Sequence, residues 1–202
     1  MMYNGQVRLI TENEVVTMKK KLLVVCMAFT MMFSFTACGK QETTETEAAT
    51  EAGVTVGAEV EQFVNRDLPS ISSERDKAVR LYKAYFEKSM DSEQWLSSLE
   101  NDAITSYDSY LEKLKGFEYT TAEVQNLQSQ YLQSAQLQRD AIQDVIDGIK
   151  NSDVAYFDSA EEKIQQSEEA LSAYKSSLRS VCESNGITIN GDIGEATSTD
   201  AE

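Results

Sequence analysis

Apolar side chains recur at helical spacing along most of the chain after Ala58, and Pro69 is its single proline. Residues three or four positions apart lie on one face of an α-helix, so such a stripe predicts a helix with one buried face. The first predicted helix runs from about Ala58 to Asn65 and is ended by Pro69. Hydroxyl side chains at Ser70, Ser72 and Ser73 predict the N-cap of a second helix.

A third helix is predicted to start at Asp91. Asp91 and Gln94 form a pair like a capping box, in which the first side chain accepts from the backbone N–H three residues later. Gly116 follows two lysines and predicts the end of this helix. Its apolar stripe consists of Trp95, Leu99, Ala103, Tyr107, Tyr110 and Leu114.

A fourth start signal lies at Thr120. Thr120 and Glu123 have the spacing of a capping box, and the flanking Tyr119 and Val124 have that of a hydrophobic staple. We therefore predict a helix from Thr120 to about Lys150. Its apolar stripe consists of Val124, Tyr131, Ala135, Ile142, Val145 and Ile149.

The last predicted helix, from about Asp153 to Ser184, has a sustained seven-residue repeat, which favours near-antiparallel packing of long helices. The repeat consists of Phe157, Ile164, Leu171 and Leu178 at one position and Ala160, Ser167, Tyr174 and Val181 three residues later. The last two helices are each about 45 Å long at about 1.5 Å per residue. The sequence thus predicts an all-α fold, an antiparallel helical bundle of about four main helices built on a long C-terminal helical hairpin.

A different pattern precedes the bundle, between Met18 and Lys40. Three lysines at 19–21 are followed by an uncharged apolar run from Leu22 to Ala37. A basic segment followed by an apolar segment is typical of an export signal. The apolar run is short for a permanent transmembrane helix, which needs roughly 20 such residues.

The end of this run, Phe35-Thr36-Ala37-Cys38, resembles the lipobox of bacterial lipoproteins. The resemblance implies cleavage between Ala37 and Cys38 and attachment of a diacylglyceryl group to the Cys38 sulfur. In broad character the chain is similar to small helical lipoproteins of Gram-positive bacteria. The alternative, an uncleaved anchor in which Cys38 carries no lipid, stays open here.

These patterns divide the chain into five predicted parts. Residues 1–17 are an upstream extension, with translation expected to start at Met18, and residues 18–37 are the signal peptide. Residues 38–57 hold the lipidated cysteine and a flexible tether rich in Glu, Thr and Ala, whose low apolar content predicts disorder. Residues 58–190 form the bundle, and residues 191–202 a disordered tail.

Net charge limits the partners of the predicted mature chain, residues 38–202. The whole chain has a formal charge of -16, and the first 37 residues contain four basic and two acidic side chains, so the mature charge is -18. Such a surface is repelled by nucleic-acid phosphates and by anionic lipid headgroups. We therefore predict no nucleic-acid partner and attachment to the membrane through the lipid on Cys38.

Residue types limit the chemistry further. The chain has no histidine, which removes the commonest general base and the usual zinc ligand. Cys26 leaves with the signal and Cys38 takes the lipid, so Cys182 has no partner for an intramolecular disulfide and is expected to be buried. We predict no catalytic residue, no metal site and no cofactor.

Two sets of polar side chains are candidate binding residues. Asp140, Asp144 and Asp147 share a helix face and could hold a hard cation, although a solvated acidic face is the more ordinary interpretation. The second set, of tyrosines and a glutamine, could form a polar, aromatic crevice for a peptide or sugar, or simply a moderately polar core. Separately, Trp95 is either a core residue or an exposed anchor. The candidate crevice consists of Tyr107, Tyr110, Tyr131, Gln138 and Tyr174.

The pattern as a whole favours a non-enzymatic interaction or structural module on the outer face of the cytoplasmic membrane, in contact with another envelope protein. The alternative is a small-ligand- or peptide-binding or sensor subunit that works with a membrane transporter. The sequence does not specify the oligomeric state.

Overall fold

A computed structural model of the chain describes residues 54–84 and 91–187, and these residues form four helices and no strand. Helix α1 (56–84) consists of Val56–Gln62, the π-helical turn Phe63–Asp67 and Leu68–Ala84. Helix α2 (92–116) consists of Ser92–Ser98, the π-helical turn Leu99–Ala103 and Ile104–Gly116. Helix α3 is Ala122–Asn151, and α4 is Ala155–Ser184. Within the described ranges no helix is both long enough and apolar enough to cross a bilayer. The predicted signal peptide with Cys38, most of the predicted tether, and the tail lie outside these ranges, so the domain limits stay predictions.

The core of the fold is the antiparallel hairpin of α3 and α4, against which α1 and α2 pack. The heptad residues of α4 are buried, except for Val181, which is half-buried. A Cβ atom on Gly148 would lie 3.0 Å from the Cζ atom of Phe157, so the two helices approach closely near their connection. The predicted all-α bundle with a C-terminal hairpin is confirmed.

Both ends of the hairpin show the expected turn chemistry. Ser152 takes a left-handed conformation, with φ of 53°, and the N–H of Asp153 donates to the carbonyl of Gly148 at 3.1 Å. At the C-terminus of α4, Gly186 has φ of 65° and the N–H of Ile187 donates to the carbonyl of Cys182 at 2.9 Å. This is the Schellman arrangement, in which a glycine reverses the chain and the last carbonyls keep their partners.

The prediction that Pro69 ends the first helix is wrong, because α1 continues through it to Ala84. The turn before it is π-helical, with the N–H of Leu68 donating to the carbonyl of Phe63. Pro69 is therefore the second residue of a new α-helical segment, where a missing N–H costs little. The predicted capping hydroxyls instead donate backwards inside the helix, Ser70 to Asp67 at 2.7 Å and Ser72 to Pro69 at 3.0 Å.

Helix α2 starts as predicted at Asp91, whose carboxylate accepts from the N–H groups of Glu93 and Gln94 at 3.1 and 2.9 Å. All six residues of its predicted stripe are buried. Trp95 is a core residue, and its indole N–H donates to the carbonyls of Leu81 and Tyr82 at 2.9 and 3.1 Å. These carbonyls belong to the last described turn of α1, so Trp95 ties the start of α2 to that helix.

The two ends of the bundle differ in what they contain. We call the end that holds the start of α1 the tether end; a Cβ atom on Gly57 would lie 3.5 Å from Ile187, just after α4. The connection 117–121 between α2 and α3 is at the same end. The opposite end, which we call the turn end, holds the connection 152–154 between α3 and α4. Helix α1 therefore leads away from the tether along the hairpin.

Candidate functional site

A buried polar network crosses the core between α2, α3 and α4. The Tyr107 hydroxyl donates to Oε1 of Gln138 at 2.6 Å, and Nε2 of Gln138 donates to the Ser167 hydroxyl at 3.0 Å. The Ser134 hydroxyl donates to the Ser167 carbonyl at 2.9 Å, while the Ser167 hydroxyl lies 3.0 Å from the Ser134 carbonyl. All four residues are buried. Buried polar groups of this kind fix one arrangement of helices, because any other leaves them without partners.

A second group of side chains surrounds Arg75 on α1. Its guanidinium donates to the Tyr131 hydroxyl and to Oδ1 of Asp76, both at 3.1 Å, and lies 5.9 Å from the centre of the Tyr110 ring. The Tyr110 and Tyr131 hydroxyls are 3.2 Å apart, and the Tyr131 and Tyr174 rings meet edge to face at 5.1 Å. Arg75 therefore joins α1 to tyrosines of α2 and α3, and Tyr131 extends the group to Tyr174 on α4.

The structure brings all five predicted crevice residues together in these two groups. Each is buried, and the small cavity lined by Tyr107, Tyr110, Tyr131 and Gln138, but not by Tyr174, measures about 10 Å³, room for one water molecule. Burial raises the pKa of Tyr107, Tyr110 and Tyr174 well above 10, so these hydroxyls stay protonated at physiological pH. Their part in binding stays a prediction; their structural part is to join the helices.

An open groove lies on the outer side of Arg75, between α1 and the hairpin of α3 and α4. Its volume is about 240 Å³, and its floor is formed by the buried Tyr131 and Tyr174. Both tyrosines lie about nine or ten residues from the tether end of their helices, hence about 15 Å from it at about 1.5 Å per residue. The other residues that line the groove are Val64, Leu68, Pro69, Ser72, Arg75 and Asp76.

Arg75 places a positive charge at the inner wall of this groove. Its side chain is 12% exposed, whereas that of Asp76 is 48% exposed. Burial lowers the pKa of the Arg75 guanidinium, but attraction to Tyr131, Tyr110 and Asp76 outweighs this effect and raises it above the ordinary value. The groove is therefore apolar along Val64 and Leu68 and cationic at Arg75.

A third cluster, which we call the Glu59 clasp, lies at the tether end and consists of Glu59, Thr120 and Thr121. One carboxylate oxygen of Glu59 accepts from the N–H and hydroxyl of Thr120 at 2.6 and 2.7 Å. The other accepts from the N–H and hydroxyl of Thr121 at 2.8 and 2.5 Å. Burial opposes ionisation of Glu59, but these bonds from Thr121 and Thr120 outweigh it and lower the pKa of Glu59 to about 2.

The clasp corrects the predicted capping box at Thr120. Helix α3 begins one residue later, with Thr121 as its N-cap, and no side chain of its own caps it. A carboxylate from α1 supplies the negative charge and acceptors that the start of α3 needs. The missed signal was Glu59 itself, an acidic residue on the apolar stripe of α1 between Val56 and Phe63.

Neighbouring side chains hold the rest of the connection between α2 and α3. Nε2 of Gln128 donates to the carbonyls of Leu114 and Phe117 at 2.7 and 2.9 Å, which satisfies carbonyls at the end of α2. The Tyr119 hydroxyl donates to Oδ2 of Asp67 at 2.6 Å, which ties the connection to α1 as well. The connection is thus held from both sides.

The three aspartates on α3 do not act together. Asp144 is buried and forms an ion pair with Lys163 on α4, so it is not part of a solvated face. Asp140 accepts from Gln136 and Asp147 from Gln143, each at 3.2 Å. The part of the chain that the structure describes contains no group of three side chains placed to hold a metal ion.

Removal of one hydroxyl tests the buried network. Tyr107→Phe is expected to lower the free energy of unfolding by about 1 to 3 kcal/mol, because it deprives Gln138 of a donor in a buried site. Urea unfolding followed by circular dichroism measures the change. Tyr156→Phe, at a half-buried residue of α4, is the matched control and should stay within about 0.5 kcal/mol of the parent. Equal stabilities for the two variants would show that the network adds nothing.

Comparison with known proteins gives one finding. A family model described as EMYY-motif containing lipoprotein matches residues 18–186, from the first residue of the predicted signal peptide to Gly186. The four letters of that description do not occur as a string in this chain. No curated protein and no solved structure matches the chain.

Proposed function

We propose, from the premise that this chain belongs to the family of EMYY-motif containing lipoproteins, that it presents a helical interaction module on the outer face of the cytoplasmic membrane. Membership makes it a lipoprotein anchored to a membrane, as the resemblance around Cys38 implied. In this proposal Cys38 carries the lipid, and the module binds another envelope protein without changing it chemically.

The single observation that carries the proposal is the arrangement of the helices, which run lengthwise from the tether end and are held in place by buried hydrogen bonds. The chain enters at the tether end, α1 and α3 run from there to the turn end, and α4 runs back, each over about 45 Å at about 1.5 Å per residue. Side chains rather than the connections alone hold the four helices in register, through Gln138, Trp95 and Glu59. A body of this kind suits display of a surface at a fixed distance from its anchor.

The chemistry of the buried acids supports binding rather than catalysis. A general acid or base works best when its pKa lies near the operating pH. The pKa of Glu59 is lowered to about 2, and its two oxygens accept four hydrogen bonds. Asp144 is paired with Lys163. Both carboxylates thus stabilise helix packing instead of facing a cleft.

A second candidate function, a small-ligand-binding or sensor subunit that works with a transporter, is favoured by the groove at Arg75. Ligand pockets are usually about 300 to 1,000 Å³ and mostly apolar, with a few polar groups. The groove, with a volume of about 240 Å³, lies just below that range and combines an apolar wall with the partly buried guanidinium of Arg75. Such a site would hold a compact molecule.

Site-specific photo-cross-linking in intact cells tests the interaction module. A photoreactive residue is placed at one exposed position at a time, for example at Asn101 on α2, at Ser152 near the turn end and at Glu162 on α4. We expect adducts of one mass, confined to neighbouring positions, because a specific partner covers one face. Adducts of many masses spread over all faces, or none at any position, would contradict the proposed interaction.

A further inference from the structure

We propose that the groove between α1 and the α3–α4 hairpin binds a small molecule that has a carboxylate and a short apolar body. The inference rests on the second candidate function and names its ligand class. The carboxylate would pair with Arg75, and the apolar body would lie along Leu68 and Pro69 over the ring of Tyr174.

The first step of the inference is the size and lining of the groove. The groove has a volume of about 240 Å³, many times the roughly 10 to 15 Å³ that one water molecule needs. Leu68 and Val64 are half-buried and Tyr174 is buried, so an apolar body placed here would leave water for a mostly apolar surface. The groove therefore fits a compact molecule better than a long chain.

The second step is charge. Arg75 is held in place by the Tyr131 hydroxyl and the Tyr110 ring, so its planar guanidinium is oriented before any ligand arrives. Arginine in a fixed orientation is well suited to carboxylates, because its N–H groups match the two oxygens. On a chain with a formal charge of -16, this partly buried cation would attract an anionic ligand to the groove.

The third step is a side chain that already takes the ligand's place. Oδ1 of Asp76 lies 3.1 Å from Arg75 Nη2 at the edge of the groove, and the Asp76 side chain is 48% exposed. A half-exposed ion pair between adjacent residues is weak, so an incoming carboxylate can exchange with it. Asp76 is thus a built-in competitor, and its removal is expected to strengthen binding.

The experiment uses the full lipidated chain in detergent and compares hexanoate with neutral hexanamide by saturation-transfer NMR titration. We expect the dissociation constant of hexanamide to be at least about tenfold higher than that of hexanoate. This factor corresponds to the loss of a hydrogen bond to a charged group. N-acetyl-leucine, which resembles the C-terminus of a peptide, separates the two sources of a carboxylate. Tighter binding of N-acetyl-leucine would indicate a peptide end, and tighter binding of hexanoate a free acid.

Matched variants make the result decisive. Ser72→Leu fills the groove and should abolish binding, whereas Ser70→Leu, whose hydroxyl makes the same backward bond outside the groove, should leave it unchanged. Asp76→Asn should tighten hexanoate binding by about two- to fivefold. Glu162→Gln on the exposed face of α4 makes the same change in charge and should have no effect.

Equal binding of acid and amide, no saturable binding of either acid, or full binding to the Ser72→Leu variant would each overturn the proposal. These outcomes leave the interaction module untouched, because cross-linking tests that function separately.

Discussion

The replacement of Cys38 with serine is expected to yield a protein without the diacylglyceryl group that keeps its whole signal peptide. The Cys38 sulfur is the predicted attachment atom, and a serine hydroxyl does not replace a thiol in that transfer. Each buried methylene of an acyl chain contributes roughly 0.8 kcal/mol, and two chains anchor a protein stably. Loss of the lipid therefore removes the main attachment of the predicted mature chain. Intact mass spectrometry of the protein purified from membranes measures the change.

Cys182 provides the matched control for that experiment. It is buried near the end of α4, and burial raises the pKa of its thiol, so Cys182→Ala should keep the lipid and the shortened N-terminus. Identical masses for the parent and the Cys38→Ser protein, apart from the single atom exchanged, would contradict lipidation at Cys38. In that case the uncleaved anchor would be the better description.

The second large effect is expected at the Glu59 clasp. Glu59→Gln should lower the free energy of unfolding by about 3 kcal/mol or more, since hydrogen bonds to a charged group are worth about 1.5 to 3 kcal/mol each. The amide retains one accepting oxygen, but its NH₂ group faces the donors of Thr121 or Thr120. Urea unfolding near neutral pH measures the loss. Glu61→Gln, two residues away and exposed, is the control and should change stability by less than about 0.5 kcal/mol.

The clasp also predicts the sign of a pH dependence. The pKa of Glu59 is lowered from 4.5 to about 2 in the folded protein, so the unfolded chain takes up a proton first as the pH falls. The contribution of Glu59 is therefore fully present above pH 4.5 and is lost progressively between pH 4.5 and about 2. The difference in stability between the parent and Glu59→Gln should shrink over that window. A difference that stays constant down to pH 2 would mean that the carboxylate is not the cause.

The hairpin could be predicted from the sequence because its signal is repeated. The seven-residue repeat in α4 places Phe157, Ile164, Leu171 and Leu178 on one stripe, and each repeat independently predicts the same buried face. A single residue carries less. Pro69 was expected to end a helix, yet a π-helical turn precedes it and an α-helical segment starts at Leu68. Nothing local in the sequence shows whether the helix ends at Pro69 or continues through it.

The residues missed at the candidate sites share a cause, which is that their partners are distant along the chain. Glu59 bonds to Thr120, 61 residues later, and Arg75 bonds to Tyr131, 56 residues later. Both lie on the apolar stripe of α1, and a charged residue in that position was the available signal. The tyrosines of the crevice were found because they follow the stripes, but their mutual bonds depend on how the helices dock.

The capping of helix ends by other helices links the folding of one helix to that of the next. Trp95 on α2 bonds to the last described turn of α1, Gln128 on α3 completes the end of α2, and Glu59 on α1 completes the start of α3. These three bonds form a closed cycle of dependence among the first three helices. Each of these bonds forms only when two of the three helices have docked, so the helices gain stability together, and the domain should unfold in a single cooperative step.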